Sequence, residues 1–177
     1  MIKNKEIPLF QCPRWEQLPD MELYMDQVVT LLNEYLKPFK TNGQDKIVTS
    51  TMINNYVKNG IVTPPVKKKY TRSHVAYLIV VCILKTVYRM EEISGLIRVQ
   101  INQYPIEQAY NYFCAELESC LKCIFQHKKV HHVPSEDEGS LVVDLIRNTI
   151  QSIAYTVYVR YELDLHEAIQ ESEKPQS

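Results

Sequence analysis

The chain reads as an all-α protein of about six helices with almost no sheet, and three observations carry that reading. Apolar residues recur every three to four positions through most of the length, the repeat of a helix with one buried face. Only four glycines occur in 177 residues, too few for the turns of a sheet protein. Proline, Asn-Gly and hydroxyl residues fall between the periodic runs, where helices start and stop. Hydrophobic residues make up 45% and charged residues 23%, the balance of a soluble domain able to bury a core without metal or disulfide support.

Taken in order, residues 1–19 contain Pro8, Pro13 and Pro19 and little periodicity. They are expected as an extended arm laid on the body through Leu9, Phe10 and Trp15, with Trp15 a packing anchor. Asp20 is placed as the cap of a first helix with apolar positions Leu23, Met25, Val28, Leu32, Tyr35 and Leu36, and Pro38 ends it. Residues 40–46 form a polar loop around Asn42 and Gly43. A second helix starts in Thr49, Ser50 and Thr51, where a hydroxyl can cap free amides. It turns Met52, Ile53, Tyr56 and Val57 to one side and Asn54, Asn55 and Lys58 to another, and it stops at Asn59 and Gly60. The two prolines at 64 and 65 keep the exit extended. Residues 66–70 are too few for a hairpin of long strands and are expected as a stunted wing.

Thr71 caps a helix over 72–88 that is apolar nearly all the way round, and therefore central and buried. A short helix follows at 91–101, with Glu91 and Glu92 in its first turn as the helix dipole favours. Pro105 opens a long helix to 129, and residues 131–139 form a loop. The last pattern, 140–170, runs through Val142, Leu145, Ile146, Ile150, Ile153, Ala154 and Val157, and residues 171–177 are expected to be disordered. No apolar run approaches the ~18–20 residues that span a bilayer, and the first residues lack a signal-peptide core, so no membrane partner and a cytoplasmic location are expected. Five cysteines, odd in number and set among apolar residues, read as reduced buried thiols.

Charge is segregated along the chain. Residues 1–45 are net −2, residues 46–90 carry eight bases and no acid, residues 91–98 are net −1, and residues 99–177 are net −6. Forty-five consecutive residues without a carboxylate exceed what a solvated face needs, and such a patch attracts a polyanion.

The order over residues 53–78 is helix, Gly turn, apolar pair, Pro, basic link, Tyr-Thr cap and buried helix. It resembles the winged helix-turn-helix of the MerR family, where the stretch runs Thr-Ile-Arg-Tyr-Tyr-Glu-Arg-Ile-Gly-Leu-Leu, then a Pro, then an Arg-rich wing ending Tyr-Ser-x-x-Asp-Leu. Ile53, Tyr56, Lys58, Gly60, Ile61 and Val62 fall on corresponding places, as do residues 70–78, and the resemblance covers 48–93. The chain departs from that pattern in carrying Asn54 and Asn55 for the Arg and first Tyr, in a reduced wing, and in the long loop that precedes the second helix. Over most of residues 10–165, the segments 13–36, 49–62 and 65–85 look like a family of Firmicutes proteins, the domain of unknown function numbered 1836.

The resemblance implies an arm (1–19), a helix-turn-helix domain (20–98), a C-terminal helical bundle (99–170) and a tail (171–177). It implies a MerR-like DNA-binding transcriptional regulator whose second helix enters the major groove while the wing touches backbone. Asn54 and Asn55 are then suited to adenine edges. Lys58, Lys67, Lys68, Lys69 and Arg72 are suited to phosphates, and Thr51 completes the set. Tyr70 donates to a phosphate or packs under the wing. The partners expected are double-stranded DNA, a second copy forming a homodimer, and a small-molecule effector held by the C-terminal region, where Tyr110, Tyr112, Tyr155, Tyr158 and Tyr161 could line a pocket with polar tips. The alternative is a non-enzymatic protein-interaction module on a degenerate helix-turn-helix, its basic patch docking an acidic partner.

Cys120, Cys123, His127, His131 and His132 invite a metal reading. The first three, however, lie at i, i+3 and i+7 on one helix beside its apolar stripe, without the chelating loop of a zinc finger, so they read as core thiols. No metal and no cofactor is expected. No phosphate loop, nucleophile elbow or HExxH motif is present, and nothing picks out an acid–base pair, so no enzyme is expected.

Overall fold

The computed structural model describes residues 10–40 and 45–172. Among these, the chain forms α1 (Met25–Tyr35), α2 (Ser50–Lys58), α3 (Arg72–Leu84), α4 (Met90–Ile101), α5 (Ile106–Phe125) and α6 (Leu141–Ser172), with single 3-10 turns at Trp15–Gln17 and Lys37–Phe39. The only β pairings among the described residues are two isolated bridges, Leu23 with Tyr70 and Val66 with Lys69. The all-helical class is as the periodicity predicts.

α3 is the axis. His74, Val75, Ala76, Leu78, Ile79, Val81, Cys82, Ile83 and Leu84 are all buried, so its apolar circumference is covered on every side. α1 lies on one side and α5 on another. One continuous buried cluster runs from Phe10 to Val157.

α1 begins at Met25 rather than just after Asp20. The intervening backbone is extended because Leu23 pairs with Tyr70, N–H to O at 2.9 Å one way and 2.8 Å the other. Asp20 caps nothing, and the side chain of Gln27 accepts the free Tyr24 N–H instead, at 2.8 Å. α3 stops at Leu84, short of the expected 88, and residues 85–88 close in turns onto Val81, Ile83 and Leu84 carbonyls.

Asn33 solves the problem of the long loop between α1 and α2. Its Nδ2 donates to the Val48 carbonyl at 2.8 Å, and its Oδ1 accepts from Ile47 N–H at 2.8 Å and Val48 N–H at 3.2 Å. One amide thus serves three backbone groups next to the fully buried Val48 and fastens the entry of α2 to α1.

α5 and α6 run parallel. Tyr112, early in α5, bonds Arg147, early in α6, and Phe125, at the end of α5, packs edge-on against Tyr158 and Tyr161. Parallel neighbours need a connection that returns the length of a helix. α5 has 20 residues, about 30 Å at 1.5 Å per residue, and the irregular segment 126–140, with turns at both ends, covers that span. It runs back along α5 through Ser119 Oγ to the His131 carbonyl, Glu116 to His132 and Val133, and Tyr104 to Asp137. Arg147 closes the far end with paired bonds to Glu138 at 2.7 and 2.6 Å and one to the Val133 carbonyl at 2.7 Å. Along α6 the buried phase starts at Val143, not Val142, and Leu145 is exposed; the burial continues through Ile150, Ile153, Ala154 and Val157 as expected.

The N-terminal arm crosses α5. The Arg14 guanidinium grips Glu118 with two bonds of 2.8 and 2.7 Å, and Cys12 N–H reaches the same carboxylate at 2.7 Å. Tyr110 donates to the Pro13 carbonyl, Trp15 N–H donates to Asn111, and Phe10 packs edge-on to Phe39. Leu9 lies outside the described residues, as do 173–177; α6 itself continues to Ser172. All five cysteines are buried and none is disulfide-bonded. No helix among the described residues is long and apolar enough to cross a membrane.

Two outcomes follow from these fastenings. Asn33→Ala strands backbone groups beside Val48 and should cost about 2–4 kcal/mol in a urea titration. A loss under about half a kcal/mol would mean that the loop holds α2 without it. On acidification the segment 126–140 should loosen at Arg147. The Arg147 guanidinium, with help from the Ser135 amide, holds the Glu138 carboxyl down to about 2, against an ordinary value of 4.5. A depressed carboxyl stabilises the fold above its unfolded value and loses that effect as pH falls through its folded value. Melting temperatures between pH 4.5 and about 2 should therefore fall more steeply in the native chain than in Glu138→Gln, and equal slopes would refute the linkage.

Candidate nucleic-acid interface

α2 is short and amphipathic. Thr49, the residue before its first turn, accepts the Met52 N–H on its hydroxyl at 3.3 Å. Ile53 and Tyr56 are buried, and Ile61 and Val62 anchor the exit, which turns at Gly60 with a φ of +68°. The opposite face is exposed and carries Thr51, Asn54, Asn55 and Lys58, spaced i, i+3, i+4 and i+7 in one line along the helix. Asn55 Oδ1 already accepts from Asn59, whereas the Asn54 side chain makes no hydrogen bond among the described residues.

The segment expected as a stunted wing is a two-residue turn. Val66 and Lys69 pair, with Lys69 N–H to the Val66 carbonyl at 2.9 Å, and between them Lys67 and Lys68 have φ of +48° and +63°. Two successive left-handed residues are the mark of a type I′ turn, which ordinarily takes Asn-Gly. Side chains with a Cβ resist this conformation by about 1–2 kcal/mol each. Lys67 and Lys68 nevertheless occupy it, exposed and without an ion-pair partner among the described residues.

Other members of the predicted set are engaged elsewhere. Lys69 forms an ion pair with Glu22 at 3.3 Å and lies 6.0 Å above the Tyr24 ring. Its partner comes from outside the acid-free segment, delivered by the pairing of Leu23 with Tyr70. Tyr70 is 2% exposed, stacks edge-on to His74 and packs under the turn, so of its two expected roles the structure shows packing. Burial also pushes its hydroxyl above the usual tyrosine range. Arg72 is half-buried in the first turn of α3, its guanidinium 5.7 Å from the Trp15 ring centre. Its Nε is buried without an acceptor among the described residues.

The helix N-termini differ in charge. α1, α4, α5 and α6 each carry an acid in the first turn, and α2 and α3 carry none. The positive dipole ends of the two helices flanking the turn are therefore left uncompensated, which suits an anion.

His74 holds this region together, and no motif in the chain marks it for that role. Its Nδ1 accepts Thr71 N–H at 3.0 Å, and its Nε2 lies 3.2 Å from Thr63 Oγ1, tying the stretch after α2 to the start of α3. Thr63 and His74 are eleven residues apart, so no local signal could have paired them.

A separate cleft of about 340 Å³ lies between α5, α6 and the returning segment, walled by Tyr104, Tyr112, Val133, Pro134, Val143 and Ile146. It falls in the size range of small-molecule sites. Of the tyrosines expected to line a pocket, Tyr112 lines this cleft and Tyr110 a different pocket beside Ala76 and Ile97; Tyr158 and Tyr161 pack on Phe125, and Tyr155 is exposed.

The chain matches the family described as Domain of unknown function (DUF1836) over residues 13–113, more than half of its length, and it belongs to that family. The matched region takes in the end of the arm from Pro13, α1 to α4 and the first part of α5, and thus the whole of the basic segment. No curated protein and no solved structure matches the chain.

Replacing Lys67→Asn together with Lys68→Gly installs the residues a type I′ turn prefers and should raise stability by about 1–2 kcal/mol, read from the denaturant midpoint. A loss of stability would mean that the turn depends on the two lysine side chains.

Proposed function

We propose that this protein is a cytoplasmic DNA-binding transcriptional regulator that grips duplex DNA with the exposed face of α2 and the turn of Lys67 and Lys68, in the manner of a MerR-like winged helix-turn-helix with a reduced wing. The observation that carries the reading is the pair of unpaired lysines at an exposed turn where Asn-Gly would be more stable. A residue kept in a costly conformation points to a use for its side chain.

In this reading Asn54 and Asn55 meet base edges, with Asn54 the freer of the two, while Thr51 and Lys58 flank them on the same face. Lys67 and Lys68 take phosphates, and Arg72 adds a third cation at the open N-terminus of α3. Lys69 and Tyr70 serve as scaffold, the first paired with Glu22 and the second buried. The acidic C-terminal helices keep other surfaces away from the polymer. A second copy is proposed to join through α6, where Tyr155, Val159 and Leu163 form an exposed apolar line at i, i+4 and i+8, setting two such surfaces on one duplex. The cleft beside Tyr112 is the proposed effector site.

The test is a salt titration against a pool of genomic duplex fragments. The native chain should bind with affinity falling steeply as salt rises. The variant with Lys67→Asn and Lys68→Gly should bind more weakly, with its slope reduced by about 2, one for each phosphate that no longer meets a lysine. Because that variant is expected to be more stable, weaker binding cannot be put down to unfolding. Asn54→Ala should cost about 1–3 kcal/mol against the preferred sequence and little against others. A footprint of two half-sites about one helical turn apart fits the dimer, and a single half-site rejects it. Absence of binding to any fragment at low salt would reject the DNA reading and leave the basic surface to an acidic protein partner.

A further inference from the structure

Glu116 is the one carboxylate among the described residues with no solvent exposure at all. It sits mid-way along α5 and faces the returning segment. Its Oε2 accepts Val133 N–H at 2.7 Å. Its Oε1 meets two groups at once, His132 Nδ1 at 2.5 Å and Cys120 Sγ at 3.5 Å. The ligand atoms of Glu116, Cys120 and His132 all lie within 4.8 Å of one another. Cys120 is buried on the same helix four residues on, and His132 is partly open to solvent, so the cluster has a dry floor and a wet rim.

We propose that Glu116, Cys120 and His132 form a binding site for one divalent transition-metal ion of the zinc class, with water in the fourth position. The site is independent of the DNA-binding proposal. Four physical points support it. The donor set is one oxygen, one sulfur and one imidazole nitrogen, which suits a borderline-soft ion and not calcium or magnesium. Glu116 and Cys120 at i and i+4 share one face of α5, so the helix presents two ligands ready-placed. Their separation of 3.5 Å is that of neighbouring ligands around a tetrahedral ion with bonds of roughly 2.0–2.3 Å. His132 stands closer than that and must back away by less than about 1 Å, which a residue on an irregular, partly exposed segment can do.

Charge also balances. Loading removes the Cys120 thiol proton and leaves His132 neutral, protonated on Nε2. A thiolate and a carboxylate then face a doubly positive ion, so the buried site carries no net charge. Val133 N–H stays on Oε2 and orients the carboxylate from behind. Without an ion, the Cys120 thiol gives its hydrogen to Glu116 Oε1 across 3.5 Å. The ion therefore replaces two hydrogen bonds with three metal bonds and clamps the segment 126–140 onto α5 at the wall of the cleft.

The motif reading fails here for a geometric reason. Cys123, three residues from Cys120, is buried outside the cluster, and His127 lies two residues past the end of α5 with a left-handed φ of +53° and packs against Tyr158. Glu116, which no cysteine–histidine pattern includes, supplies the third ligand.

The experiment uses the full chain, stripped with a chelator and titrated with Co²⁺ and then Zn²⁺. One equivalent of Co²⁺ should bring up a near-ultraviolet thiolate charge-transfer band and the strong visible bands of a tetrahedral ion, and Zn²⁺ should abolish both. Cys120→Ser should remove the charge-transfer band, while Cys123→Ser and His127→Ala should keep it. Glu116→Gln and His132→Gln should each weaken Zn²⁺ binding by at least about tenfold, with helical content checked by circular dichroism. Absence of the thiolate band in the native chain overturns the proposal, as does a band that survives Cys120→Ser and vanishes in Cys123→Ser. Should Cys120→Ser not fold, His132→Gln decides, because its side chain is partly exposed and Gln can still donate to Glu116: an unchanged affinity overturns the site.

Discussion

The burial of α3 on every side is the constraint on which the rest of this structure depends. A helix of thirteen residues with no polar face cannot lie on a surface. It must be enclosed, and the enclosing elements have to come from both halves of the chain. α1 covers one side and α5 another, and one hydrophobic cluster reaches from Phe10 in the arm to Val157 in α6. The cost of removing any one cover is exposure of side chains such as Leu78 and Ile79, which are wholly buried, and that ties the N-terminal and C-terminal regions into one cooperative unit.

Enclosure alone does not say how the covers are held, and the connections here are long. Three polar fastenings hold them. Asn33 docks the entry of α2 on α1. Glu118 receives Arg14 and the Cys12 amide and lays the arm across α5. Glu116 and Arg147 hold the returning segment that lets α6 run parallel to α5. Each is an amide, carboxylate or guanidinium serving several groups at once, the economical way to satisfy an irregular segment near a core. Glu116 has the further property that its partners on one oxygen are a thiol and an imidazole, so the same fastening that holds the segment also has the chemistry of a metal ligand set.

The surface is as uneven as the core is continuous. Acids stand in the first turn of four helices and are missing from α2 and α3. Between those two helices the backbone holds a pair of lysines in a conformation that glycine and asparagine favour. Local stability would be better served by other residues there, and a conflict between local preference and observed residue is the usual mark of a site kept for use.

The helices themselves were legible in the chain, because a 3.6-residue repeat of apolar side chains needs only near neighbours to be read. So was the central place of α3, from its apolar circumference, and so were the cap at Thr71, the stop at Gly60 and the exposed line of Thr51, Asn54, Asn55 and Lys58. The two-residue turn at Lys67 and Lys68 falls where a stunted wing was expected, but its left-handed backbone was not legible, since lysine carries no signal for that conformation. What only the tertiary structure decided lies in contacts between residues far apart in the chain. Glu22 neutralises Lys69, Leu23 pairs with Tyr70, Thr63 reaches His74, and Glu116 gathers His132 to Cys120. Periodicity describes one element at a time, whereas these pairings follow from how the elements are stacked around α3, and that stacking is a property of the whole core.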